Sequence, residues 1–106
     1  MQELTTQSEI DELLGAPRAL LLKHGATCPI SAKARDEVAK LCERLPDLKV
    51  GALEVTSNRA LADALADRLG IEHQSPQVFL MRDGEVAWRA EHYEIKADAV
   101  ERQLGD

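Results

Sequence analysis

LLLKHGATCPIS, residues 20–31, decides how this chain reads. An apolar run ends at His24-Gly25, a Cys follows three residues later, and a Pro comes directly after the Cys. The run ALLLKHG (residues 19–25) has strand length, and its unbroken leucines suit a central strand covered on both faces. Beyond Pro29, Ile30, Ala34, Val38, Leu41 and Leu45 recur at helical spacing, with Lys33, Arg35, Asp36, Glu37, Lys40 and Glu43 between them. The stretch therefore predicts strand, turn and helix, with Cys28 at the junction.

Pro is favoured at the first helical position, where its missing N–H would be unpaired anyway. With Pro29 there, Cys28 becomes the N-cap. Its sulfur then faces the free N–H groups of Ile30 and Ser31, at an end where the helix dipole places about half a positive charge. Both effects favour the thiolate, and cysteines in such settings have pKa values of about 3.5 to 7.5. Ser31 occupies the place where a C-x-x-C pair would carry its second thiol. Its hydroxyl can donate to the sulfur but cannot close a disulfide. Thr27, Pro29 and Ile30 complete the expected thiolate-stabilising turn. His24 is either a further donor tuning the sulfur or a polar residue leaving the sheet edge. The competing reading of Cys28 itself is a small buried residue at a strand end.

Cys42 lies fourteen residues on (42 − 28) in the same helix, about 21 Å of axial rise. A disulfide needs Cα atoms within about 7 Å, so an intact helix keeps the two cysteines apart. Cys42 stands beside Val38, Leu41 and Leu45 and reads as core. His24, His73, Cys28 and Cys42 match no zinc-ligand spacing, so no metal is expected. Lys33 and Arg35 read as a solvated helix face.

Outward from the centre, Thr6 and Glu9 form a T-x-x-E capping box before Ile10, Leu13 and Leu14, predicting a first helix that ends near Gly15 and Pro17. LKVGALEVT (residues 48–56) reads as a strand interrupted by Gly51. Ser57 or Asn58 caps a third helix bearing Leu61, Leu65 and Leu69, with Gly70 to end it. PQVFLMRDGEVAWRAE (residues 76–91) reads as a hairpin about Asp83-Gly84. Ile95, Ala99, Val100 and Leu104 mark a closing helix. The expected fold is α/β: a mixed sheet of about four strands with helices on both faces, in a single domain over residues 1–106.

Composition bounds the function. With 44% hydrophobic and 30% charged residues the 106-residue chain is globular, and with only 3% aromatics its core must be aliphatic. A formal net charge of -6 argues against nucleic acid as the main partner. No apolar run approaches membrane-spanning length, no secretory signal is visible, and two cysteines are too few for a disulfide framework. A cytoplasmic protein with reduced thiols and no membrane partner is expected.

The element order, with its Cys at the first strand-to-helix junction, resembles the thioredoxin fold. NRALADALADRLGIEHQSPQVFLMRDGE (residues 58–85) looks like that fold's helix, loop, cis-Pro strand and hairpin. More narrowly, KHGATCPIS with EHQSPQVF resembles the monothiol bacilliredoxins of the YtxJ-like family, whose motif is TCPIS. The resemblance spans nearly the whole chain. It implies thiol–disulfide oxidoreductase activity: Cys28 as catalytic residue, Ser75 and Pro76 aligning the incoming disulfide, and a cis bond between them. It implies no bound cofactor, with a low-molecular-weight thiol, bacillithiol, as co-substrate. The partners it implies are S-thiolated client proteins and a separate thiol or reductase that regenerates Cys28. Two other readings stand beside it. One is a monothiol-glutaredoxin-like carrier of an iron–sulfur cluster, although Pro29-Ile30 replaces the Gly-Phe of those carriers. The other is a non-catalytic adaptor or stress protein.

Overall fold

Five strands and four helices carry the chain, in a computed structural model that describes residues 1–105. In order they are β1 (Gln2–Glu3), α1 (Gln7–Leu14), β2 (Arg18–His24), α2 (Pro29–Arg44), β3 (Lys49–Glu54), α3 (Arg59–Leu69), β4 (Gln77–Arg82), β5 (Glu85–Glu91) and α4 (Ala97–Leu104), with a single 3-10 turn at His92–Glu94. The sheet order is β1-β3-β2-β4-β5. β1 and β2 run parallel to β3, while β4 runs antiparallel to both β2 and β5. The sheet thus has five strands, not about four. The extra one, β1, is two exposed residues long. It has no apolar alternation to mark it and exists only because its backbone pairs with Gly51 and Ala52.

β2 sits at the centre of this order, and its leucines explain why. Leu20, Leu21 and Leu22 have no exposure, and successive side chains enter opposite layers. Leu21 packs with Ile10, Leu13 and Leu14 of α1, and with Ala62 and Leu65 of α3. Leu20 and Leu22 pack with Ala34, Val38 and Leu41 of α2, and with Val100 and Leu104 of α4. Each fully buried Leu contributes about 1.5–3 kcal/mol relative to exposure. α1 and α3 therefore cover one face, and α2 and α4 the other.

Local signals set the boundaries. Thr6 accepts from the Glu9 N–H at 3.2 Å while Glu9 accepts from the Thr6 N–H at 3.1 Å, completing the capping box. Asn58 holds the N-cap position of α3 without a side-chain capping bond, its Nδ2 donating instead to the Glu54 carbonyl at 2.9 Å, and Gly70 ends the helix in the left-handed region. Asp83 and Gly84 both have positive φ, as a two-residue hairpin turn requires. At Gly51 a methyl group would come within 2.7 Å of Leu13 and 2.9 Å of Leu4, so α1 and the N-terminal segment close on β3 where the side chain is missing. α4 starts later than its apolar pattern suggests. Ile95 is buried before the helix begins, and Ala97 joins Val100 and Leu104 on the covered face.

Candidate active site

Cys28 lies at the N-cap of α2 with extended backbone, and Pro29 opens the helix. The geometry follows from the sequence: β2 delivers the chain to the carboxyl edge of the sheet, and Pro29 starts the helix there. The sulfur lies outside strict capping geometry, yet the N–H groups of Ser31 and then Ile30 hold the thiol pKa below its ordinary value. Their attraction is electrostatic and grows when the sulfur is charged. The Ser31 hydroxyl adds a smaller lowering. Cys28 is partly exposed, and a thiol needs such access to react.

Ser31 is buried, and its oxygen accepts the backbone N–H of Gly25 at 2.9 Å. Its proton remains available to the sulfur. Gly25 is where the site converges. A methyl group there would stand 3.7 Å from the Cys28 Cβ, 3.7 Å from the Ser31 Oγ and 3.9 Å from the Ser75 Oγ. The Ser75–Pro76 bond is cis, and Pro76 is buried. Its carbonyl accepts the His92 N–H at 3.0 Å, which joins this loop to the 3-10 turn. Ser75 and Pro76, adjacent to each other but far from Cys28 in sequence, are thereby set against the β2–α2 junction.

The remaining residues are placed differently. His24 is buried, but its Nε2 faces the Arg35 guanidinium at 3.0 Å rather than the sulfur. Arg always donates, so Nε2 accepts and the ring proton sits on Nδ1. Burial first, and Arg35 second, push the His24 pKa below its ordinary value. Arg35 also pairs with Glu3 at 2.5 Å and so belongs to a β1–β2–α2 tie instead of a free helix face. Thr27 is exposed, and its hydroxyl makes no hydrogen bond among the described residues. Pro29 acts only through the helix start. Cys42 is partly buried against the α2–α4 layer, and both cysteines are free. Among the described residues no three His, Cys, Asp or Glu side chains gather as metal ligands, and no helix is long and apolar enough to cross a membrane.

A hollow of about 330 Å³ lies beside the β2–α2 junction, lined by His24, Gly25, Ser31, Arg35, Glu3 and Glu54 but not by Cys28. A larger one, about 560 Å³, lies at the β5 edge and includes neither Gly25 nor Ser31. The first shares Gly25 and Ser31 with the turn that carries Cys28. The sequence reading passed over Lys23 and Gln77, both without exposure. A lysine inside the run ALLLKHG was the available signal.

The family model described as monothiol bacilliredoxin BrxC matches residues 2–100. The chain belongs to the monothiol bacilliredoxin family. Its function is accordingly thiol redox chemistry, on a thioredoxin-like fold. A solved structure described as a candidate oxidoreductase with a thioredoxin fold is 29% identical, covering 97% of this chain and 92% of that one, with a TM-score of 0.91. Fasciola hepatica thioredoxin is 14% identical over 99% of this chain and 97% of its own, with a TM-score of 0.78. The oxidised mitochondrial thioredoxin 3 of Saccharomyces cerevisiae is 17% identical over 100% and 94%, with a TM-score of 0.76. The last two share the fold. In this bacilliredoxin the strand–Cys–Pro–helix junction carries one thiol, with Ser31 where a partner thiol would stand.

Proposed function

We propose that the protein removes a low-molecular-weight thiol, bacillithiol in keeping with its family, from mixed disulfides on client proteins in the cytoplasm. The observation that carries this reading is a single activated thiol. Cys28 sits on the α2 N-terminus with its pKa lowered, and the position three residues on holds Ser31.

The Cys28 thiolate attacks the sulfur of the small thiol in the client's mixed disulfide. The Cys28–small-thiol bond forms, the client–small-thiol bond breaks, and the client sulfur leaves as a thiolate that takes a proton from water. Ser31 and the N–H groups of Ile30 and Ser31 stabilise the attacking charge. The backbone at Ser75-Pro76 aligns the disulfide as an added strand would. The hollow beside Gly25 and Arg35 has the size to receive the small thiol's scaffold. A second small thiol, or a separate reductase, then attacks the adduct and returns Cys28 to the thiolate, with the released pair carrying the disulfide.

Intact mass tests it. Incubation with bacillithiol disulfide, and separately with glutathione disulfide, should add one small thiol to the wild type and none to Cys28→Ser. A thiolated client protein should lose its adduct to the wild type only. Equal release by Cys28→Ser would overturn the reading.

A further inference from the structure

The sheet face opposite α2 carries a row of polar side chains that the thiol chemistry leaves unused. Lys23 pairs with Gln77 across β2 and β4, and Gln77 with Glu91 across β4 and β5, so the three stand side by side. Lys23 follows Leu21 on its strand, and Gln77 precedes Phe79, which puts both on the α1–α3 side, away from the sulfur. Neither has any exposure. A lysine with no exit to water carries a large desolvation cost, and something must offset it.

The Gln77 amide uses every bond it can make. Its Oε1 accepts from Lys23 Nζ at 3.2 Å and from the Gln74 N–H at 3.4 Å. Its Nε2 donates to the Glu72 carbonyl at 3.3 Å and to Glu91 Oε2 at 3.3 Å. An ammonium only donates and a carboxylate only accepts, so Lys23 on one side and Glu91 on the other leave the amide one orientation. The oriented amide then grips the loop at residues 72 and 74. The next residues along are Ser75 and Pro76, whose position against Gly25 forms half of the site. The Phe79 ring lies 5.9 Å from the Lys23 Nζ and, with Asp63, favours the charged amine. Burial still pushes its pKa down to about 8.

We propose that the row of buried Lys23 and Gln77 with half-buried Glu91 is a positioning device that holds the Gln74-Ser75-Pro76 turn where it aligns a client disulfide over Cys28. It acts through the loop and leaves the sulfur's own affinity for its proton untouched. The proposal rests on the reading that this loop aligns a disulfide for exchange at Cys28.

The test uses Gln77→Leu and Lys23→Met in the full chain, with three readouts. One is amide hydrogen exchange at Glu72 to Ser75. Another is Cys28 alkylation by iodoacetamide against pH. The last is the steady-state rate on a cysteine peptide disulfide-bonded to glutathione or bacillithiol. In the variants the loop amides should lose protection, and the alkylation midpoint should stay at the wild-type value. Turnover of the peptide should fall roughly 10- to 100-fold, in kcat more than in KM, as expected for lost alignment. Should Gln77→Leu fail to fold, Lys23→Met is apolar and volume-matched, and it faces the same expectations. Peptide turnover equal to wild type in a variant with an unprotected loop would overturn the proposal, as would a shifted alkylation midpoint. Unchanged loop protection would overturn it too. If wild type itself exchanges with neither peptide, the exchange reading fails separately, and loop protection in the variants decides whether the row braces the turn.

Discussion

The Gly25 N–H donates to the Ser31 hydroxyl oxygen at 2.9 Å, tying the end of β2 to the first turn of α2. One serine thereby fixes the turn that carries Cys28 and still has a proton to offer the sulfur. The same residue bars an internal disulfide at that position.

Cys28 should ionise below the pH of free cysteine, because the Ser31 and Ile30 N–H groups favour its charged form. Alkylation rate against pH reads the midpoint. Ser31→Ala should move it only slightly upward, since the backbone of Ser31, which the substitution retains, contributes more than its side chain. A wild-type midpoint at or above that of free cysteine would contradict this.

Oxidation with a small-thiol disulfide should leave one adduct, at Cys28. Cys42 sits fourteen positions along an unbroken helix, about 21 Å away. Ser31→Cys should instead expel the adduct and close an internal disulfide, at the cost of the Gly25 tie. Peptide mapping separates the outcomes. A dominant Cys28–Cys42 link in folded protein would show that α2 opens.

Stability should fall as pH drops below the ordinary histidine range of about 6.5. Burial lowers the folded pKa of both His24 and His73. The unfolded chain therefore binds protons first, and the linkage slope makes stability rise with pH across this window. The depressed carboxylates Glu9, Asp11, Glu37 and Glu54 add their losses only at lower pH, as each is protonated. Urea melts between about pH 7 and 5 should show the decline, and His24→Gln should flatten it. An equal slope in that variant would remove His24 from the account.

Gly51→Ala should destabilise the fold by about 1–3 kcal/mol through overpacking against Leu4 and Leu13. The Cys28 alkylation midpoint should not change, because β3's packing against α1 lies on the face away from α2. Denaturant melts measure the loss, and wild-type stability would show that those leucines move aside freely.

Sequence alone determined the strand–Cys–Pro–helix junction, the capping box at Thr6 and Glu9, and the hairpin at Asp83-Gly84, because each is set by neighbours a few residues apart. The helices on both faces followed from the apolar spacing of α2 and the continuous leucines of β2. Tertiary structure decided what depends on residues far apart. β1 is too short to carry a pattern and is recognised only by its pairing to β3. His24 was equally placed, by sequence, to serve the sulfur, and only the fold brings Arg35 to its Nε2. Lys23 and Gln77 are fifty-four positions apart. Their meeting inside the sheet follows from the antiparallel register of β2 and β4, a pairing that no local periodicity encodes.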